Sequence, residues 1–195
     1  MTSREESHGH NVLAFAGKGA KKIYLSAHID TKPNTPGALD NGSGVATLLA
    51  LAQSIDVENL ECQVCIVLFN GEDYFSTIGE VVFMDSMDRE FDLAINVDGV
   101  GLANHPTSLS FYEFNERSQS KYVEALKEFP HLTYIEPWPM GDHMIFAMSG
   151  IPSIAITSGG IFDLMETVIH TPDDVLKNID IDILLQLVEV LGRML

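Results

Sequence analysis

Five residues of chemically useful type stand at or just beyond the ends of short apolar runs, and two more lie near helix starts. His28 and Asp30 follow Ile23–Ala27, Glu72 and Asp73 follow a run ending at Phe69, and Asp98 follows Leu93–Val97. Asp40 precedes an apolar helical stretch, and His170 opens the segment HTPDD. Singly, each has an ordinary structural reading, because strand-end Asp residues make turns or caps and a lone His is commonly structural. Gathered at one edge of a sheet, two imidazoles and several carboxylates would repel one another unless a cation sat among them. Mixed nitrogen and oxygen donors suit Zn²⁺ or a similar borderline ion better than Ca²⁺, which prefers oxygen alone. In His28-Ile29-Asp30 the two-residue period of a strand points both side chains the same way, so Asp30 can orient the imidazole. Adjacent Glu72 and Asp73 point differently. One can bind metal while the other carries protons, the division that metal-assisted hydrolysis needs.

The elements that must position these groups alternate. Asn11–Phe15 and Ile23–Ala27 read as strands separated by Gly-Lys-Gly, a hairpin-like pair. Ser43–Ile55 has small and apolar residues at helical spacing, with Asn41–Ser43 available as a cap. Val64–Phe69 and Leu93–Val97 are continuous apolar runs suited to strands covered on both faces. A helix over 79–87, a strand over Leu109–Phe114, a helix over Glu116–Phe129, a short strand near Thr133, a helix from near Asp142, a strand over Ser153–Thr157 and a helix from Asp180 complete the pattern. Strands separated by helices indicate a three-layer αβα domain with a mostly parallel, mixed central sheet. In such sheets ligands sit beyond the carboxyl ends of the strands, which is where the candidate residues fall.

The composition narrows the partners. With 195 residues, 46% hydrophobic and 20% charged, the chain suits one domain over 11–195 preceded by a polar, disordered arm over 1–10. Eleven Lys and Arg against 28 Asp and Glu give a formal charge of −17, which opposes nucleic acid and anionic membrane surfaces. Bases are absent from Pro33 to Asp88 and again from Glu128 to Leu176. No apolar run approaches the roughly 18 to 20 residues of a membrane span, and the start, MTSREESHGH, has no apolar signal region; a cytoplasmic location is the expectation. Composition says nothing of oligomeric state.

The segments HIDTKPNTPGALDNGSGVATLLALA, FNGED, INVDG, MGDHMIFAMSGIPSIAI and IHTPDD, in this order, resemble the M28 family of di-zinc aminopeptidases from about Asn11 to the C-terminus. The resemblance implies two divalent metal ions, zinc by preference, bridged by Asp40, with His28 and Asp98 completing one site and Asp73 and His170 the other. It implies Glu72 as general base, Asp30 as the group orienting His28, and a cis peptide between Asp40 and Asn41. The implied substrate is a peptide with a free N-terminus, cut by a water shared between the metals. Three departures accompany the match. Glu72-Asp73 stands where Glu-Glu is frequent, Gly141 stands where Ser commonly precedes Asp-His, and Trp138 lies near the place of a tyrosine donor. The helix and strand that family members usually carry before the equivalent of Asn11 are not in the chain.

Other signals are weaker. Cys62 and Cys65 form a CxxC at a strand, where positions i and i+3 face opposite sides, so buried free thiols are expected. Trp138, Asp142 and His143 are candidates for substrate contact. Phe75, Trp138, Met140, Met144, Phe146, Phe162 and Met165 suit either a pocket or the core. Rival readings are an M20-like carboxypeptidase or deacylase, whose lid domain has little room in the 71 residues between Asp98 and His170, a glutaminyl cyclase-like enzyme, and a non-catalytic binding module on the same fold.

Overall fold

The computed structural model describes residues 9–74, 79–87, 90–129, 131–165 and 167–195. Of the polar arm expected over 1–10, residues 1–8 lie outside the described residues, as does the pocket candidate Phe75. Seven strands, β1 (Val12–Ala16), β2 (Lys21–His28), β3 (Cys62–Phe69), β4 (Leu93–Val97), β5 (Thr107–Tyr112), β6 (Leu132–Tyr134) and β7 (Ser153–Ser158), form one mixed sheet in the order β1-β3-β2-β4-β7-β5-β6. The helices are α1 (Ser43–Ser54), α2 (Gly79–Ser86), α3 (Glu116–Leu126), α4 (His143–Ala147), α5 (Ile161–Leu164) and α6 (Ile181–Met194).

Alternation along the strands splits the core into two layers. Ile23, Leu25 and Ala27 of β2, with Cys62, Val64 and Ile66 of β3, pack on one face against Leu48 and Leu51 of α1 and Leu187, Val190, Leu191 and Met194 of α6. Those α6 residues recur at helical spacing, so the helix buries one stripe and leaves the rest to solvent. Tyr24, Cys65, Val67 and Phe69 turn to the opposite face and meet Phe83 and Met84 of α2 and Phe146 of α4. Cys62 and Cys65 are accordingly buried free thiols on opposite faces.

The expected pairing of the first two strands needs correction. β1 runs antiparallel to β3, and β2 runs parallel to β3 on its other side, so β3 lies between them. β2 has no free edge because β4 occupies its second side. The Gly-Lys-Gly segment crosses the start of β3 rather than closing a tight hairpin. A Cβ on Gly17 or Gly19 would collide with the carbonyl oxygens of Cys62 or Glu61, so only glycine allows the crossing. Helix α3 ends at Leu126 rather than Phe129, and β5 begins at Thr107, two residues before the expected start.

β2, β3 and β4 are parallel neighbours in close register, with His28 opposite Phe69 and Ser26 opposite Asn96. Their carboxyl ends therefore open on one side. Residues 99–169, where an inserted lid would have to fit, instead supply β5, β6 and β7 to the same sheet.

Leu25→Ala, at a position with no solvent exposure, is expected to destabilise the fold by about 2–5 kcal/mol in denaturant titration. Phe15→Ser, on edge strand β1 and 66% exposed, is expected to change stability by no more than about 0.5 kcal/mol.

Candidate metal centre and active-site cavity

Asp40 is carried by a tight turn, Ala38–Gly42, between the Pro and Gly loop and α1. The peptide between Asp40 and Asn41 is cis. The turn is tied from two sides. Asp174, fully buried, accepts from the backbone N–H of Leu39 at 2.5 Å and of Asp40 at 3.1 Å. Asn41 donates to the Val97 carbonyl at 2.9 Å and accepts from the Gly44 N–H at 3.0 Å, which joins the turn to the end of β4 and to the first turn of α1. Burial raises the pKa of the Asp174 carboxyl, while the backbone donors of Leu39 and Asp40 oppose that.

The Asp40 carboxylate reaches both imidazoles. Its Oδ1 lies 2.9 Å from His28 Nε2, and its Oδ2 lies 2.9 Å from His170 Nε2. Asp98 Oδ1 stands 3.3 Å from His28 Nε2, and Asp73 Oδ1 stands 2.9 Å from His170 Nε2. Two compact donor sets result, His28–Asp40–Asp98 and Asp40–Asp73–His170, with Asp40 in both; His28, Glu72 and Asp73 form a third grouping. His28 Nδ1 meets the carbonyl oxygen of Asp30 at 3.0 Å. A carbonyl only accepts, so Nδ1 carries a proton and Nε2 is the nitrogen left to face two carboxylates. Among the described residues that buried Nε2 has no hydrogen-bond partner. A lone pair facing carboxylate oxygens at these distances requires a proton or a cation between them, and the mixed donors fit zinc.

Charge follows the same geometry. Burial opposes protonation of His28, yet Asp98 and Asp40 outweigh it and raise its pKa well above the ordinary value. Burial also works against the Asp40 carboxylate, and the two imidazoles hold it well below the usual range. His170 is raised chiefly by its bond to Asp40. Burial pushes Glu72 up to about 7, with Asp98, Asp73 and Asp40 adding to it and His28 opposing.

The Asp30 carboxylate, expected to orient His28, accepts instead from the N–H of Gly71 at 2.8 Å and of Asp73 at 3.0 Å, and lies 3.8 Å from His28 Nδ1. It holds the loop bearing Glu72 and Asp73, while its backbone carbonyl meets the imidazole. Lys32 Nζ sits 3.3 Å from Asp73 Oδ1 and donates to the Asp73 carbonyl. His143 is buried, with Nε2 3.2 Å from the Trp138 carbonyl, and burial lowers its pKa. Asp142, also buried, finds no donor for either carboxylate oxygen among the described residues, and neither does Glu80 Oε2. Burial raises both carboxyls, and the Glu80 charge adds to the rise at Asp142. Gly141 has φ +103, a conformation closed to the serine that the family resemblance would put there.

A cavity of about 390 Å³ opens over these groups. Asp40, Glu72, Asp73, Glu80, Asp98 and His170 line its polar side, with no Lys or Arg among the lining residues. Trp138, Met140, Ile161, Phe162, Met165 and Ile169 line its apolar side. Phe146 and Met144, weighed with them in the sequence, pack into the core clusters instead. Asp174, Lys32 and Glu80 are the contributors that sequence reasoning missed. Asp174 left a signal in the segment HTPDD, and Lys32 in its place directly before the base-free stretch that starts at Pro33.

The Peptidase family M28 model matches residues 11–194. Aminopeptidase YwaD of Bacillus subtilis is 27% identical over 169 residues, covering 80% of this chain and 36% of its own length. A vacuolar membrane protease of Vanderwaltozyma polyspora is 30% identical over 112 residues, covering 56% of this chain and 12% of its own. The crystal structure of BSAP, a zinc aminopeptidase from Bacillus subtilis, superposes with TM-score 0.76 at 22% identity over 94% of this chain and 48% of that one. The chain thus spans about half the length of that structure and about a third or less of those two relatives. The expected cytoplasmic location is corrected by these matches, since several relatives carry the name vacuolar membrane protease. Among the described residues, no helix is long and apolar enough to cross a membrane.

A carboxyl raised in the folded state binds more protons there than in the unfolded chain, so its contribution to stability falls as pH rises from its ordinary value to its folded one. For Glu72 that window runs from about 4.5 to about 7. The raised imidazoles lose their contribution only above their ordinary value of 6.5. In chelator, the melting temperature is expected to fall between pH 5 and 6.5 and the fall to be shallower in Glu72→Gln. An equal slope in the variant would remove Glu72 from the raised carboxyls.

Proposed function

The chain belongs to peptidase family M28, and from that membership we propose a zinc-dependent hydrolase that releases N-terminal residues from peptides. The observation that carries this reading is the single carboxylate of Asp40 placed between His28 and His170, with Asp98 and Asp73 completing the two sets. His28, Asp40 and Asp98 would hold one ion, and Asp40, Asp73 and His170 the other. Two divalent ions bound there supply Lewis acidity toward the scissile carbonyl and a water acidic enough to react near neutral pH.

The remaining work falls to the chain's own groups. Glu72 lines the cavity and takes a proton from the water whose oxygen attacks the carbonyl carbon. As the C–N bond breaks, the same carboxyl returns the proton to the leaving amine nitrogen. Asp30 holds the Glu72-Asp73 loop by two backbone bonds, which keeps the base and a ligand in fixed relation. The acidic, base-free lining favours a cationic N-terminus over a carboxylate. The apolar side, with Trp138, Met140, Phe162 and Met165, accepts an apolar side chain. His143 lines the cavity beside Trp138, and the buried Asp142 precedes it in the chain.

The test is turnover of amino-acid anilides by the zinc-loaded chain, with free and N-acetylated substrates compared. Glu72→Gln is expected to lower kcat by at least about a hundredfold while zinc content stays at the wild-type level. Full activity in the variant would remove Glu72 as the base, and a preference for the acetylated substrate would refute the free N-terminus.

A further inference from the structure

We propose that Lys32 is a built-in counter-cation for the Asp73 half of the centre, and that it makes the two halves take up metal unequally, with Asp40–Asp73–His170 the weaker set. The inference rests on the metal-centre reading above. Lys32 Nζ lies 3.3 Å from Asp73 Oδ1. That same oxygen lies 2.9 Å from His170 Nε2. The ammonium and an incoming ion therefore compete for one carboxylate oxygen rather than for opposite ends of the group.

Burial makes the competition count. Asp73 is 2% exposed, and the Lys32 side chain is 24% exposed. An ion pair this sheltered keeps more of its attraction than one in open solvent. Loading the second set then requires either that the lysine withdraw or that a single positive charge remain beside a double one. The first set differs. His28 bridges Asp40 and Asp98, and no Lys or Arg takes part in its ion pairs among the described residues. The sequence isolates the feature further, because Lys32 is the last base before the gap that runs from Pro33 to Asp88.

The same contact has an opposite effect on the metal-free protein. Asp40 and Asp73 repel each other, and Lys32 offsets that repulsion at Asp73. Lys32 thus supports the empty centre and weakens its second ion.

The 195-residue chain, stripped with chelator and titrated with zinc against a chromophoric chelator, tests this, using wild type, Lys32→Met and Lys32→Arg. The wild type is expected to bind two zinc ions with unequal affinity. K32M is expected to tighten the weaker ion by about tenfold and leave the tighter within about threefold, as loss of one partly sheltered positive charge requires, whereas K32R keeps the wild-type pattern. Asp73→Asn is expected to abolish the weaker event and spare the tighter one. Stripped K32M should melt below stripped wild type, with a wider gap between stripped and zinc-loaded forms. Equal affinities in the wild type, or a weaker ion that K32M fails to tighten, overturns the role of Lys32. A wild type that takes up no zinc at all overturns the metal-centre reading itself.

Discussion

The carboxylate of Asp40 faces two imidazoles at 2.9 Å, one through each oxygen. Packing alone could not hold His28 and Asp40 there, because a buried imidazole beside several carboxylates and a buried carboxylate beside its own kind each carry a desolvation penalty. The arrangement is tolerable only with positive charge at its centre. Protons on the imidazoles supply it in the metal-free chain, and divalent ions would supply more of it. Much else in the region keeps that carboxylate in place: Asp174 bonds the turn beneath it, Asn41 ties the turn to β4, and α1 leaves directly from the turn.

The sheet makes the convergence possible. Three parallel strands in register end side by side, so His28, Glu72, Asp73 and Asp98 reach one place from strand ends, while Asp40 and His170 arrive on the segments that follow β2 and β7. Apolar packing on both faces fixes those ends, with α1 and α6 on one side and α2 and α4 on the other. The geometry of the candidate site thus derives from core packing through the strand termini, and the polar turns make the last adjustment. Phe69 illustrates the link, because it is fully buried against Phe83 and Phe146 and ends the strand whose following loop carries Glu72 and Asp73.

Much of this was legible in the residues themselves. Continuous apolar runs marked β3 and β4, helical spacing marked α1 and α6, and the shared address at strand ends singled out His28, Asp40, Glu72, Asp73, Asp98 and His170, which the fold brings together around one cavity. Strand pairing was not legible. A run such as Val12–Ala16 states that it can pair, whereas its neighbour depends on which edge the rest of the sheet leaves free. Contacts set by long-range placement were hidden too: Asp174 meets the turn from 134 residues away, and Glu80 and Asp142 adjoin only after α2 and α4 pack. Asp30 shows a subtler limit. Strand periodicity gave the side on which it lies, but the N–H groups of Gly71 and Asp73, contributed by a neighbouring strand's loop, claim its carboxylate.

The central claim is that Asp40 joins two ion sites. Anomalous diffraction at the zinc edge, on crystals of the full chain grown with zinc, tests it most directly. Two peaks are expected, about 3.5–4 Å apart as in other two-metal sites, one beside His28 and Asp98 and the other beside Asp73 and His170, with the Asp40 carboxylate between them. A single peak, or two peaks that do not share Asp40, would contradict it.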